Sequence, residues 1–166
     1  DKKKRLSYIM NVYSRPYDGA IWHSINVILL TPTTNGLLYF QDNAQYTKLM
    51  FPVVEGFSWL GNKDIQTNIA QLSYLKNWNY TYKNYHESYN TGYVNFDNTV
   101  TLLLNDESVN YPNVDSAVDA YRTYAKEVYA YNVGMVYKEW THWTYQADTE
   151  KCVQGYRVVM RAIDHN

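Results

Sequence analysis

Apolar and polar positions alternate along the first sixty residues. From Leu6 to Tyr17, Tyr8, Met10 and Val12 fall on one face and Ile9, Asn11 and Tyr13 on the other, the period of a strand. Pro16-Tyr17-Asp18-Gly19 reads as a turn, because proline fixes φ and glycine permits the reversal. A second strand follows over 20–31, nearly continuously apolar from Val27 to Leu30, as expected where both faces are covered. Residues 31–36 form a loop, in which Asn35-Gly36 favours the positive φ of a hairpin turn. Leu37 to Phe40 and Tyr46 to Val54 are strands parted by Asp42-Asn43, and Pro52 points to a sheet edge.

After Asp64 the period lengthens. Ile65, Ile69, Leu72 and Leu75 recur at helical steps and predict a helix over 64–77, capped by Asn62 or Asp64. Tyr80, Tyr82 and Asn84 then alternate with Thr81, Lys83 and Tyr85. This strand turns at Ser88 to Gly92 and returns from Tyr93 to Leu104. Val114, Ala117, Val118, Tyr121, Ala125, Val128 and Asn132 predict a second amphipathic helix over 114–132. Beyond Gly134 the β-branched and aromatic residues predict a ribbon, one strand through Tyr145 and its partner from Cys152 to Ile163. With the turn near Thr149, His142 faces Tyr156 across that ribbon, and Cys152 lies near Gln146. The expected fold is α+β, mostly antiparallel strands and hairpins with two amphipathic helices packed on the sheet. Residues 1–5 form a basic tail and 6–166 a single domain with a sub-boundary near 62–66.

Charge narrows the choice of partners. A net charge of −1 lacks the basic surplus of nucleic-acid binders. No apolar run reaches the ~18–20 residues of a membrane span. The single Cys152 excludes an internal disulfide framework and a cysteine zinc site. The chain opens without Met or a signal-peptide pattern, which fits a mature chain or an excised domain. The unusual feature is 19 Tyr, with 5 Trp and 17 Asn. Tyrosine offers a large contact area with a polar tip at low entropic cost, as binding surfaces require. AT-rich coding is the other source of such a surplus.

Two short stretches resemble the bacterial SH3-like modules of the GW type found on Gram-positive cell surfaces. Val12-Tyr13-Ser14-Arg15-Pro16-Tyr17 with Gly19-Ala20 is similar to their opening strand and turn. Gly56-Phe57-Ser58-Trp59-Leu60 with Asn62-Lys63-Asp64 is similar to their closing strand, with Gly56-Phe57 where the family has Gly-Trp. The resemblance covers about residues 5–65. It implies a small N-terminal β-barrel and attachment to cell-wall polymer.

Catalytic groupings are sparse. Glu139 and His142 share a helix face but lie on opposite faces of a strand, so the predicted ribbon separates them. His86-Glu87 reads as an exposed polar turn, and Cys152 as an inert thiol. No phosphate-cradling loop, nucleophile elbow or zinc helix motif is present, and no cofactor or metal is expected. The reading is a non-catalytic, extracellular or cell-surface binding domain for carbohydrate, cell-wall polymer or a protein. Its candidate ligand residues are Trp59, Trp78, Tyr80, Tyr82, Tyr85, Tyr89 and Tyr93, with Trp140 and Trp143 as a second cluster. The alternatives are a glycan-acting hydrolase with a polar cleft around Glu139, His142 and Arg157, and a structural module that oligomerises through the ribbon edge.

Overall fold

Alternation prevails far beyond residue 60. The computed structural model describes residues 6–65, 70–111, 115, 117–149 and 151–165. Ten strands account for most of them: β1 Tyr8–Ser14, β2 His23–Thr33, β3 Gly36–Gln41, β4 Ala44–Met50, β5 Ser58–Leu60, β6 Asn79–Asn90, β7 Asn95–Val109, β8 Ala120–Ala130, β9 Gly134–Gln146 and β10 Lys151–Arg161. They form two antiparallel sheets, ordered β1-β2-β3-β4 and β10-β9-β8-β7-β6-β5. The chain divides into two compact units. Unit 1 is Asp1–Pro52 with Leu60–Trp78, and unit 2 is Val53–Trp59 with Asn79–Asn166. The predicted tail, residues 1–5, lies outside the described residues.

The expected α+β class is wrong, because the described residues contain no α-helix. The helix expected over 114–132 is mostly β8, while 112–114 and 116 lie outside the described residues. Its helical signal combined steps of three and of four, and those of four, as from Ala117 to Tyr121 to Ala125, share a face in a strand as well. Five of its eleven residues, Tyr121, Thr123, Tyr124, Val128 and Tyr129, are β-branched or aromatic. β8 is paired on both sides and buried from both faces. Thr123, Ala125 and Glu127 are covered on one, Ala120, Val128 and Ala130 on the other. A strand enclosed in this way loses the clean alternation that betrays it in sequence.

Among the described residues, the helix expected over 64–77 is also absent. Residues 66–69 lie outside the described residues, and Ala70–Leu75 is a 3-10 turn. Side chains close this short turn by taking up its carbonyls. Asn62 Nδ2 donates to Leu75 O at 2.9 Å and Trp78 Nε1 to Tyr74 O at 2.7 Å. Asn77, at φ +61°, then redirects the chain into β6. Ile65 and Leu75, read as helix positions, are buried through this turn instead.

Tight turns consume part of the asparagine surplus. Among the described residues, six of the eight non-glycine residues at positive φ are Asn, which tolerates the left-handed region better than most residues. Asp42 and Asn43, at +49° and +60°, make the two-residue reversal between β3 and β4. Gly36 is needed for another reason than the positive φ expected of it. It opens β3, where a Cβ would stand 2.2 Å from Leu49 O, so only glycine lets β4 approach. In unit 2, Phe96, Val128, Ala130, Val136 and Tyr137 form the core. Val136 and Leu104 are the extra residues at two bulges, and both are buried.

Candidate functional site

Strand alternation sorts the polar and aromatic side chains of unit 2 onto two faces. β8 sends Arg122, Tyr124 and Lys126 to one face. β9 adds Tyr137, Glu139, Thr141 and Trp143 to it, since Arg122 lies opposite Trp143, Tyr124 opposite Thr141 and Lys126 opposite Glu139. β10 brings Arg157 opposite Thr141, Arg161 opposite Tyr137 and Gly155 opposite Trp143. A Cβ at 155 would lie 3.1 Å from Trp143 Cβ, so the glycine gives that indole room.

These groups form two contact clusters, linked into one network by the Glu139 charge acting on Tyr124. Glu139 Oε1 accepts from Arg157 Nε at 3.2 Å and Nη2 at 2.8 Å, and its Oε2 accepts from the Tyr137 hydroxyl at 3.0 Å. Lys126 Nζ stands 4.0 Å from Oε2 and 5.1 Å from the Tyr137 ring centre. The Tyr89 ring packs on Tyr137 at 5.3 Å. At the other end Arg122 pairs with Asp106 and lies over two rings, Tyr124 at 4.9 Å and Tyr111 at 5.5 Å. Tyr111, just past β7 and half exposed, meets Trp143 edge-on at 5.8 Å.

The network holds its charges fixed. Burial alone would raise the Glu139 carboxyl, but the hydrogen bonds from Arg157 and Tyr137 and the Arg157 and Lys126 charges together hold it below its usual value. Burial, with the hydrogen bond to Glu139 and that carboxylate's charge, pushes the Tyr137 phenol up to about 12. Burial foremost, then the Glu139 and Asp106 charges, raises Tyr124 as well. At neutral pH Glu139 is therefore ionised and the Tyr124 and Tyr137 phenols keep their protons, that of Tyr137 held by Glu139. Four cations, Arg122, Lys126, Arg157 and Arg161, stand against two carboxylates, Asp106 and Glu139. The phenols and guanidinium groups supply hydrogen-bond donors, and the rings supply stacking surface.

The candidate residues named from sequence scatter. Tyr80 and Tyr82 are buried, at 2% and 0% exposure, and with the half-buried Trp59 they pack an aromatic cluster, its rings 5.8 and 4.8 Å from theirs. Trp78, at 1% exposure, packs on Tyr74 within unit 1. None of these three buried rings offers a face to a ligand. Tyr85 is part-exposed against His86, and Tyr93 is exposed in the loop between β6 and β7. Tyr89 and Trp143 belong to the network. Trp140 projects from the opposite face, where Lys138 lies 5.3 Å from its ring centre.

The cleft expected around Glu139, His142 and Arg157 does not assemble. His142 projects from the opposite face to the Glu139–Arg157 pair. There its Nδ1 shares a 2.9 Å hydrogen bond with Thr123 Oγ1, and burial lowers its pKa. His86 lies within β6 at φ +64°, its Nδ1 2.6 Å from Asn98 Oδ1. Among the described residues no group of three or more His, Cys, Asp or Glu is placed to hold a metal, and no helix is long and apolar enough to cross a membrane.

Tyr111, Arg122, Tyr124, Lys126, Tyr137 and Arg161 were not singled out from sequence. The signal was present as i, i+2 spacing, Arg122-x-Tyr124-x-Lys126 and Tyr137-x-Glu139-x-Thr141-x-Trp143, and the helical reading of 114–132 hid its first half. Comparison with protein-family models, curated proteins and solved structures finds no match.

Proposed function

We propose that unit 2 is a non-catalytic binding domain, extracellular or cell-surface, whose ligand is a carbohydrate polymer bearing acidic groups. The ligand lies on the face built from β7 to β10. The observation that carries this reading is the Tyr111–Trp143 pair beside Arg122, in line with the Glu139–Arg157 pair. Aromatic rings take the apolar faces of sugars, while phenols and guanidinium groups take hydroxyls and carboxylates. The excess of cations on the network favours an anionic chain over a neutral one. The resemblance of residues 5–65 to GW-type modules supports cell-wall polymer as the source of that chain.

Binding is favoured over hydrolysis because both carboxylates of the network are tied to guanidinium groups. A general acid needs a raised pKa, and Glu139 has a lowered one. The test is a pull-down on bacterial cell wall together with a panel of acidic and neutral glycans. Wild type is expected to bind acidic polymers saturably, and a folded Tyr111→Ala, Trp143→Ala variant to lose at least about tenfold in affinity. Equal binding by both proteins, or none to any glycan, overturns the reading.

A further inference from the structure

The β1–β2 ribbon of unit 1 has the wrong surface for a sheet that ends there. β1 is an edge strand, bonded only to β2. Ile9, at 68% exposure, and Tyr13, at 53%, share a face with Val27 and Leu29 of β2. Tyr8 and Met10 on the other face are exposed too. With a large side chain offering ~150–250 Å², the four on the first face leave roughly 400 Å² of apolar surface uncovered. The largest patch on a typical monomer is ~300–600 Å² and is often functional.

Edge strands that stay solitary carry guards, such as charges, bulges or short length. β10, the edge of the other sheet, carries Arg157 and Arg161 and a bulge between Cys152 and Gln154. β5, at the far edge of that sheet, has three residues. The β1–β2 ladder also shifts register between Val12 and Tyr13, but neither β1 nor β2 contains a single Asp, Glu, Lys or Arg. Water or the backbone of another strand can satisfy the outward N–H and C=O groups of β1, and lipid tails can do neither.

We propose that β1 is a homodimer interface, formed by antiparallel pairing with β1 of a second copy and joining two four-stranded sheets into one. A two-fold axis at Asn11, the centre of Tyr8–Ser14, sets Ile9 against Tyr13 and Met10 against Val12. These are β-branched–aromatic and apolar pairs of the kind that stabilise sheets, and no like charges meet. The occupant is a second copy because the strand is uncharged and matches itself. The dimer would present two binding faces to one polymer.

The test is sedimentation velocity on the full chain over a wide concentration range, with folding checked by far-UV circular dichroism. Wild type is expected at twice 19.6 kDa. Ile9→Lys is expected to weaken dimerisation at least about a hundredfold, since it sets an unpaired charge in the interface. In a Cys152→Ser background, Asn11→Cys is expected to give a disulfide-linked dimer on mild oxidation, and Asp18→Cys none. This second readout does not depend on Ile9→Lys folding. A wild-type monomer throughout, a dimer indifferent to Ile9→Lys without Asn11→Cys cross-linking, or a monomer that binds phosphatidylcholine vesicles would overturn the proposal.

Discussion

Glu127 and Lys138 make the sharpest test of the strand assignment for β8. In a helix over 114–132 Glu127 would sit among polar neighbours on a solvated turn. In β8 it is 1% exposed, accepts the Tyr129 hydroxyl at 2.7 Å and stands 3.8 Å from Lys138 Nζ across the β8–β9 ladder. The Lys138 side chain is 20% exposed, so water screens the pair in part. Lys138→Met leaves the buried carboxylate without that cation and is expected to cost about 3 kcal/mol, the low end for breaking a buried pair. Glu127→Leu removes the buried charge but deprives Tyr129 of its acceptor, and is expected to cost about 1–2 kcal/mol. The double variant buries no unpaired charge and keeps only the cost of the acceptor lost to Tyr129, about 1–2 kcal/mol. The coupling energy is then about 3 kcal/mol in favour of the pair. Urea unfolding of the four proteins at pH 7, followed by far-UV circular dichroism with slopes compared, gives the cycle directly. Single costs that add to within about 0.5 kcal/mol would refute the reasoning, because a solvated Glu127 predicts that result.

Two further outcomes follow from the same geometry. His142 has a lowered pKa because burial disfavours its charged form, so the unfolded chain takes up its proton first as pH falls. Its contribution to stability is full above the unfolded value near ~6.5 and is lost as pH falls from there towards the lower folded value; His142→Gln should flatten the urea midpoint across that window. Gly155→Val should cost about 1–2 kcal/mol by crowding Trp143 and lower glycan affinity without altering any charge. Unchanged affinity would separate Trp143 from the ligand.

Local chemistry was readable where one residue type has one use. The alternation in Leu6–Tyr17, the Asp42-Asn43 break and the ribbon after Gly134 all reflect period or turn chemistry confined to a few residues. The ribbon's register followed, and Tyr156 does pair with His142 while Cys152 pairs with Tyr145, one residue from the expected Gln146. The helix expected over 64–77 failed, and at the site β8 failed, because a central strand covered on both faces shows little hydrophobic alternation and steps of four satisfy helix and strand alike. That one error propagated to the site, since only in a strand do Arg122, Tyr124 and Lys126 line up beside Glu139. Tyr80 and Tyr82 misled in another way. Their composition suits a binding surface, but their position in β6, packed around Trp59, makes them core.

The central claim, that ligand binds the Trp143 face of β9, is tested most directly by the five tryptophan indole N–H signals in a nitrogen-15 NMR titration. Trp140 and Trp143 are three residues apart on one strand and project to opposite faces. Titration with an acidic oligogalacturonate and with purified cell-wall fragments is predicted to move the Trp143 signal and leave that of Trp140 in place. A neutral cello-oligosaccharide should act far more weakly. Saturable movement of Trp140, Trp59 or Trp22 with Trp143 unmoved would contradict the account.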